Sequence, residues 1–183
     1  MKVLTVYHTV SGNTEKIAKA IHQEVSKNHE SYLKKIEEVD QERLNWHEVV
    51  FIGSPCHGGD RSAPVKKFLS NLPESAKFKL ALFLTHSSPD RPEFENCFKS
   101  FQASAKEKHI ISLGDYDCQG RLAPEIQPYV KEARKVSDAE WARMMEINEQ
   151  CPNAADIDKA VQFAREMLSR AQRGMQAAED AGG

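Results

Sequence analysis

The chain has 183 residues, the length of one ordinary domain, and its 40 % hydrophobic and 28 % charged residues make a mixture that buries a core and excludes wholesale disorder. Twenty-five basic against 27 acidic residues give a formal charge of −2, which argues against a nucleic-acid surface, normally strongly basic. No apolar run approaches the roughly 18 to 20 residues of a bilayer span, and Met1-Lys2-Val3-Leu4 runs at once into a patterned element, so neither membrane insertion nor a secretion signal is expected. Cys56, Cys97, Cys118 and Cys151 have no C-x-x-C spacing, which points to free thiols in a reducing cytoplasm.

Short apolar runs without polar alternation occur at Val3 to Tyr7, Val49 to Gly53, Leu80 to Leu84 and Ile110 to Gly114, the pattern of strands buried on both faces of a parallel sheet. Helices are expected between them. Ile17, Ala18, Ile21 and Val25 form an apolar stripe after the first run. After the second, Ser62-Ala63-Pro64 reads as a cap with proline in the first turn, leading into Val65, Phe68, Leu69 and Leu72. Tyr32 to Ile36 alternates and carries Lys34 and Lys35, as an edge strand does.

Phe94, Phe98 and Phe101, spaced for a helix, read as core, as do Trp46 and Trp141. Residues 121 to 155 stand apart as an insertion, with a short helix capped by a Ser137/Glu140 box. A last helix is expected from Asp156, on Ile157, Ala160, Val161, Ala164 and Leu168, and residues 173–183 read as a flexible tail. The whole predicts one domain over 1–172, an α/β/α sandwich on a five-stranded parallel sheet of order 2-1-3-4-5. Its ligand should lie beyond the carboxyl ends of the strands.

The first strand ends in Tyr7-His8-Thr9-Val10-Ser11-Gly12-Asn13-Thr14, and a helix begins near Asn13. Hydroxyls, a glycine and free N–H groups at a helix N-terminus suit a phosphate, although Ser11, Asn13 and Thr14 also suit plain helix capping. Without lysine or arginine, the loop would hold a phosphate by hydrogen bonds rather than by a point charge. Gly53 and Gly58 have Walker spacing but lead into Gly59-Asp60, and no G-x-G-x-x-G occurs. Metal-ligand spacing such as H-E-x-x-H is missing too.

The first loop resembles the FMN phosphate loop of flavodoxins. The segment Gly53-Ser54-Pro55-Cys56-His57-Gly58-Gly59-Asp60-Arg61-Ser62-Ala63-Pro64 resembles their second flavin loop, Thr85-His86-Ser87-Ser88 falls where their third lies, and Gly114 to Gly120 is similar to a stretch common in the family. The resemblance covers residues 1 to 120 and the last helix. It implies one FMN, with its phosphate on Thr9, Ser11, Gly12, Asn13 and Thr14, and its ring between the 54-to-60 and 85-to-90 loops. His8 and Val10 belong to the same phosphate loop. A peptide flip at Gly58 and Gly59 would tune the potential, because glycine tolerates positive φ; the alternative is a plain tight turn.

Two departures from the family pattern stand out. His57 occupies the place of a stacking aromatic, and no tyrosine closely follows Thr85, Tyr116 being the nearest. A protonated His57 beside the ring would stabilise reduced anionic flavin and make the potential pH-dependent. The resemblance implies a one-electron carrier between a reductase and an acceptor protein; the alternative is an FMN-dependent NAD(P)H oxidoreductase acting on a quinone or similar small acceptor. A phosphoacceptor domain is set aside for want of an acidic cluster, and a cofactor-free interaction module is disfavoured by the hydroxyl-rich first loop.

Overall fold

Strands buried on both faces come from near-continuous apolar runs, and three of them, Val3 to Tyr7, Val49 to Gly53 and Leu80 to Leu84, lie side by side. The computed structural model describes residues 1–89 and 91–182, with 177–182 described by backbone alone. In chain order the elements are β1 (Lys2–Tyr7), α1 (Asn13–Val25), β2 (Glu30–Lys35), β3 (Val49–His57), β4 (Asp60–Arg61) and α2 (Ala63–Ser70). Then follow β5 (Lys79–His86), α3 (Glu95–Glu107), β6 (Ser112–Gln119), α4 (Gln127–Arg134), α5 (Asp138–Asn148) and α6 (Ala154–Gly182). Five strands pair in parallel in the order β2-β1-β3-β5-β6, the expected arrangement once the two-residue β4, antiparallel to the end of β3, is set aside. This is the flavodoxin-like α/β/α sandwich.

Successive residues of a strand face opposite layers, so each run supplies both cores. Val3, Val49, Phe51 and Phe83 pack under α1 and α6 with Ile17, Ile21, Phe163 and Met167. Leu4, Val50, Ile52 and Leu82 pack under α2 and α3 with Val65, Leu69, Phe98 and Phe101. The register Tyr7↔Gly53, Pro55↔Thr85 and Thr85↔Cys118 brings the carboxyl ends of four strands to one edge. The loops with candidate chemistry gather there.

Several boundaries differ from the sequence reading. The last strand begins at Ser112 rather than Ile110: Ile110 is buried and donates its N–H to Ala105 O (2.8 Å), so it closes α3 instead of entering the sheet. A bulge at Leu113 then shifts the register, and the strand runs on to Gln119, placing Asp115 to Cys118 in the sheet. Helix α6 starts at Ala154, two residues early, because Asn153 and Asp156 exchange side-chain-to-N–H bonds of 2.8 and 3.1 Å in a capping box. Its backbone continues to Gly182 through the stretch expected as a tail, whose last residue, Gly183, lies outside the described residues.

Trp46 is 63 % exposed and not a core residue; it lies under the Arg43 guanidinium at 5.0 Å. The Ser137/Glu140 box on α5 is present as expected, whereas α4 has no buried residue and so left no apolar stripe in the sequence. Among the described residues, no helix is long and apolar enough to cross a membrane.

Candidate functional site

The first loop is held by contacts that only small side chains permit. A Cβ on Gly53 would stand 2.2 Å from the Phe83 ring and 2.9 Å from Thr14 Cγ2, so glycine lets α1 descend onto the strand ends. Thr14 is buried, and its Oγ1 lies 2.8 Å from Thr85 Oγ1, which pins the first turn of α1 to the end of β5. The loop closes through His8 N–H to Gly53 O (3.1 Å) and Gly12 N–H to Thr9 Oγ1 (3.0 Å). Gly12 is the N-cap, with φ +83°, and no side chain caps the helix. The first-turn N–H groups are thereby left for a ligand, at the end where the helix dipole favours an anion. Ser11 Oγ accepts from Asn13 Nδ2 (2.8 Å), which leaves its own proton to donate.

A cleft of about 440 Å3 opens from this loop along the strand ends. Val10, Ser11 and Asn13 line one end; Pro55, Cys56 and His57 form one wall, and Thr85, His86 and Ser87 part of the floor. Gly58, Gly59 and Ser88 lie in an adjoining cleft of about 560 Å3 that shares Cys56, His86 and Ser87 with the first. Gly58 and Gly59 have φ of +58° and +81°, so the second loop turns through two left-handed residues. Ser54 is not on the surface of the cleft: it is fully buried and accepts the Ser62 N–H (3.0 Å), tying β3 to the start of α2. Asp90, the end of the third loop as predicted, lies outside the described residues.

His57 is exposed at the mouth of the cleft. Desolvation first, and the neighbouring charge of His8 second, push its proton affinity below the ordinary histidine value. Among the described residues, the buried Nδ1 of His8 has no hydrogen-bond partner. His86 is buried and stacks on Phe94 with ring centroids 3.6 Å apart. Its Nδ1 lies 2.6 Å from Ser88 O and its Nε2 3.1 Å from Asp117 Oδ2, with Arg91 3.4 Å from the other carboxylate oxygen. Carbonyl and carboxylate both accept, so the ring makes the two bonds together only with a proton on each nitrogen. Tyr116 is remote from the cleft: it stacks on Phe163 and donates its O–H to Asp156 O (2.7 Å), inside the α6 layer.

One wall escaped the sequence reading. Gly120, Arg121, Leu122, Ala123 and Ile126 complete the cleft, and the region read as an insertion of open role holds them in place. Buried Asn148, at the end of α5, accepts the Leu122 N–H (2.7 Å) and donates to Gly120 O (3.0 Å), while Asn13 Nδ2 donates to Arg121 O (2.8 Å). A lone asparagine in an insertion carries no sequence signal of this work; the strand ending at Gln119 does, since ligands bind beyond strand ends.

The model of the flavodoxin domain matches residues 4–165. The chain belongs to the flavodoxin domain family. It is 28 % identical over 178 residues to the flavodoxin-like domain-containing protein BilS of Clostridioides difficile, covering 93 % of this chain and 98 % of that one. Among solved structures it is similar to oxidised flavodoxin 2 of Bacillus cereus, with TM-score 0.65 and 22 % identity over 93 % of this chain and 99 % of that one. Rubredoxin oxygen:oxidoreductase of Desulfovibrio gigas aligns with TM-score 0.66 and 12 % identity, over 95 % of this chain but 37 % of that one.

The cofactor of this family is FMN. The cleft fits it chemically: one end offers uncapped helix N–H groups and hydroxyls to a phosphate, and the body offers Pro55, Leu122, Ala123 and Ile126 as apolar surface to a flat ring. Bound FMN supplies one- and two-electron redox chemistry, and everything else is the work of the chain.

Proposed function

We propose that this flavodoxin-domain protein is a one-electron carrier that holds FMN in the cleft and passes electrons between a reductase and an acceptor protein. Ser11, Gly12, Asn13 and Thr14 would take the phosphate, with Thr9 holding the loop closed and His8 and Val10 flanking it. Pro55, Cys56, His57, Thr85, His86 and Ser87 would enclose the ring. The observation that carries the reading is the Gly58-Gly59 turn beside the cleft, whose two left-handed glycines allow the intervening peptide to reverse at little cost. A peptide that presents its carbonyl in one orientation and its N–H in the other can follow a change of protonation in the cleft. Free thiols throughout suit a reducing compartment, here taken as the cytoplasm.

The same domain hosts other activities, and one observation favours a second reading. An apolar pocket of about 230 Å3, lined by Pro89, Leu122, Trp141, Met144 and Met145, adjoins the flavin cleft and shares Ser87 and Leu122 with it. A small acceptor such as a quinone could lodge there and be reduced with electrons from NAD(P)H. Anaerobic stepwise reduction of the FMN-loaded protein, followed by visible absorption, separates the two. The carrier accumulates one-electron-reduced flavin across a wide range of added reductant. Direct passage to the two-electron state, with rapid oxidation of NAD(P)H when a quinone is added, favours the second reading.

A further inference from the structure

We propose that Cys56 and Cys97 form a reversible dithiol/disulfide pair at the wall of the cleft, with Cys56 as the thiol attacked by hydroperoxides and Cys97 as its resolving partner. Cys56 stands near the end of β3 and is half-buried, lining both clefts, whereas Cys97 is fully buried on α3 directly behind it. The two sulfurs are 3.5 Å apart, with the Cys97 S–H donating to Cys56 Sγ. A disulfide needs about 2.05 Å, so closure requires a movement of about 1.5 Å.

The surroundings separate the two roles. Cys56 Sγ accepts from Cys97 and from the Gly59 N–H, two donors that favour its thiolate and lower its proton affinity against the opposing effect of burial. Cys97, a donor in a buried position, is pushed the other way and stays a thiol. Arg61, paired with Cys56 across the β3–β4 ladder, is 7 % exposed, and its buried Nε, without a hydrogen-bond partner among the described residues, lies 3.7 Å from Asp60 Oδ1. The Arg61 charge lowers the proton affinity of Cys97, but the hydrogen bond to Cys56 and burial raise it by more. Asp60 and Glu93 oppose a thiolate here, but Lys66 neutralises Asp60 at 2.6 Å and Arg134 meets Glu93 at 2.9 Å. Cys118 is buried, with its proton affinity pushed up to about 12, and Cys151 is raised by burial; neither has a thiolate-stabilising pair of donors.

The chemistry balances with a hydroperoxide as oxidant. The Cys56 thiolate attacks the outer peroxide oxygen, the O–O bond breaks, the alkoxide leaves and takes a proton as an alcohol, and sulfenic acid remains on Cys56. The Cys97 thiol then displaces water from that sulfur, forming the disulfide. In sum, two thiols and one hydroperoxide give one disulfide, one alcohol and one water. A small dithiol reverses the bond by exchange. Short-lived disulfides of this kind are the ones compatible with a reducing compartment.

The test uses the full chain, FMN-free and FMN-loaded, with one equivalent of hydrogen peroxide, followed by alkylation, proteolysis and mass spectrometry. The expected product has lost two hydrogens and contains a peptide joining Cys56 to Cys97, reversed by dithiothreitol and still formed in the Cys118→Ser/Cys151→Ser variant. Cys97→Ser should instead trap a dimedone adduct on Cys56, whereas Cys56→Ser should leave Cys97 unlabelled. Oxidation that falls first on Cys118 or Cys151, or a wild-type Cys56 that passes to sulfinic acid without linking to Cys97, would overturn the proposal. So would thiols that all survive an equivalent of peroxide able to oxidise the denatured chain. The readout is covalent and needs no bound flavin, so its failure is distinct from failure of the FMN reading.

Discussion

The two ends of the cleft are built from different materials. At the end formed by the first loop, the loop's own donors are neutral hydroxyls, amides and backbone N–H groups, with the exposed Arg121 lining the cleft next to them, and Lys16 of α1 is turned away to Pro152 O (2.6 Å). The other end sets a few reactive groups among apolar Pro55, Leu122 and Ile126: His57, whose proton affinity is lowered by burial and by His8, His86 bonded between Ser88 O and Asp117, and Cys56 against Cys97. Neutral donors on a rigid helix start hold a fixed charge indifferently to pH, whereas titratable groups respond to proton and electron supply. On the function proposed above, binding and response fall to separate residues, which opens the contrast to attack one end at a time.

The largest effect is expected at the phosphate end. Ser11→Ala removes a hydroxyl that would donate to a charged group, a bond of about 1.5–3 kcal/mol, so FMN affinity should fall roughly 10- to 150-fold in fluorescence titration. That loss should be the same at pH 7 and pH 9; a strong pH dependence would break the contrast. Gly53→Ala, which forces the Phe83 ring and Thr14 to move, should cost about 1–3 kcal/mol of folding stability in urea and loosen FMN as α1 is displaced.

The ring end should answer to pH. Burial and His8 lower the proton affinity of His57, so between its folded value and the ordinary value near 6.5 the unfolded chain binds more protons. His57 therefore contributes a loss of stability as pH falls through that window, and His57→Gln should flatten this part of a urea-midpoint profile. In the same variant the flavin potential should lose its His57-dependent slope against pH; an unchanged curve removes His57 from the tuning. The smallest effect belongs outside the cleft: Trp46→Ala, losing one exposed stacking contact with Arg43, should cost no more than about 0.5–1 kcal/mol and leave FMN binding unchanged.

Much of this was legible in the chain. Apolar runs of strand length and striped helices announce a doubly wound sheet because buried parallel strands tolerate no polar alternation, and the sheet has the expected order. The first loop stood out as a candidate phosphate site because such a site rests on local backbone and cap chemistry. What escaped depends on distant partners. Nothing near Asn148 says that it holds Leu122 and Gly120, nothing near Asp117 predicts its bond to His86, and Cys56 meets Cys97 only through the packing of α3 on β3. Trp46 misled because a large aromatic is normally buried, yet its short segment before β3 leaves it outside the layers.

The most direct test of the account is the binding of FMN and of riboflavin to the apoprotein by calorimetry. One FMN per chain is expected, bound at least about 100-fold more tightly than riboflavin, because several donors at the start of α1 act on the phosphate that riboflavin lacks. Equal affinities for the two would contradict a phosphate site in the first loop, and no binding of either would remove the flavin from the cleft.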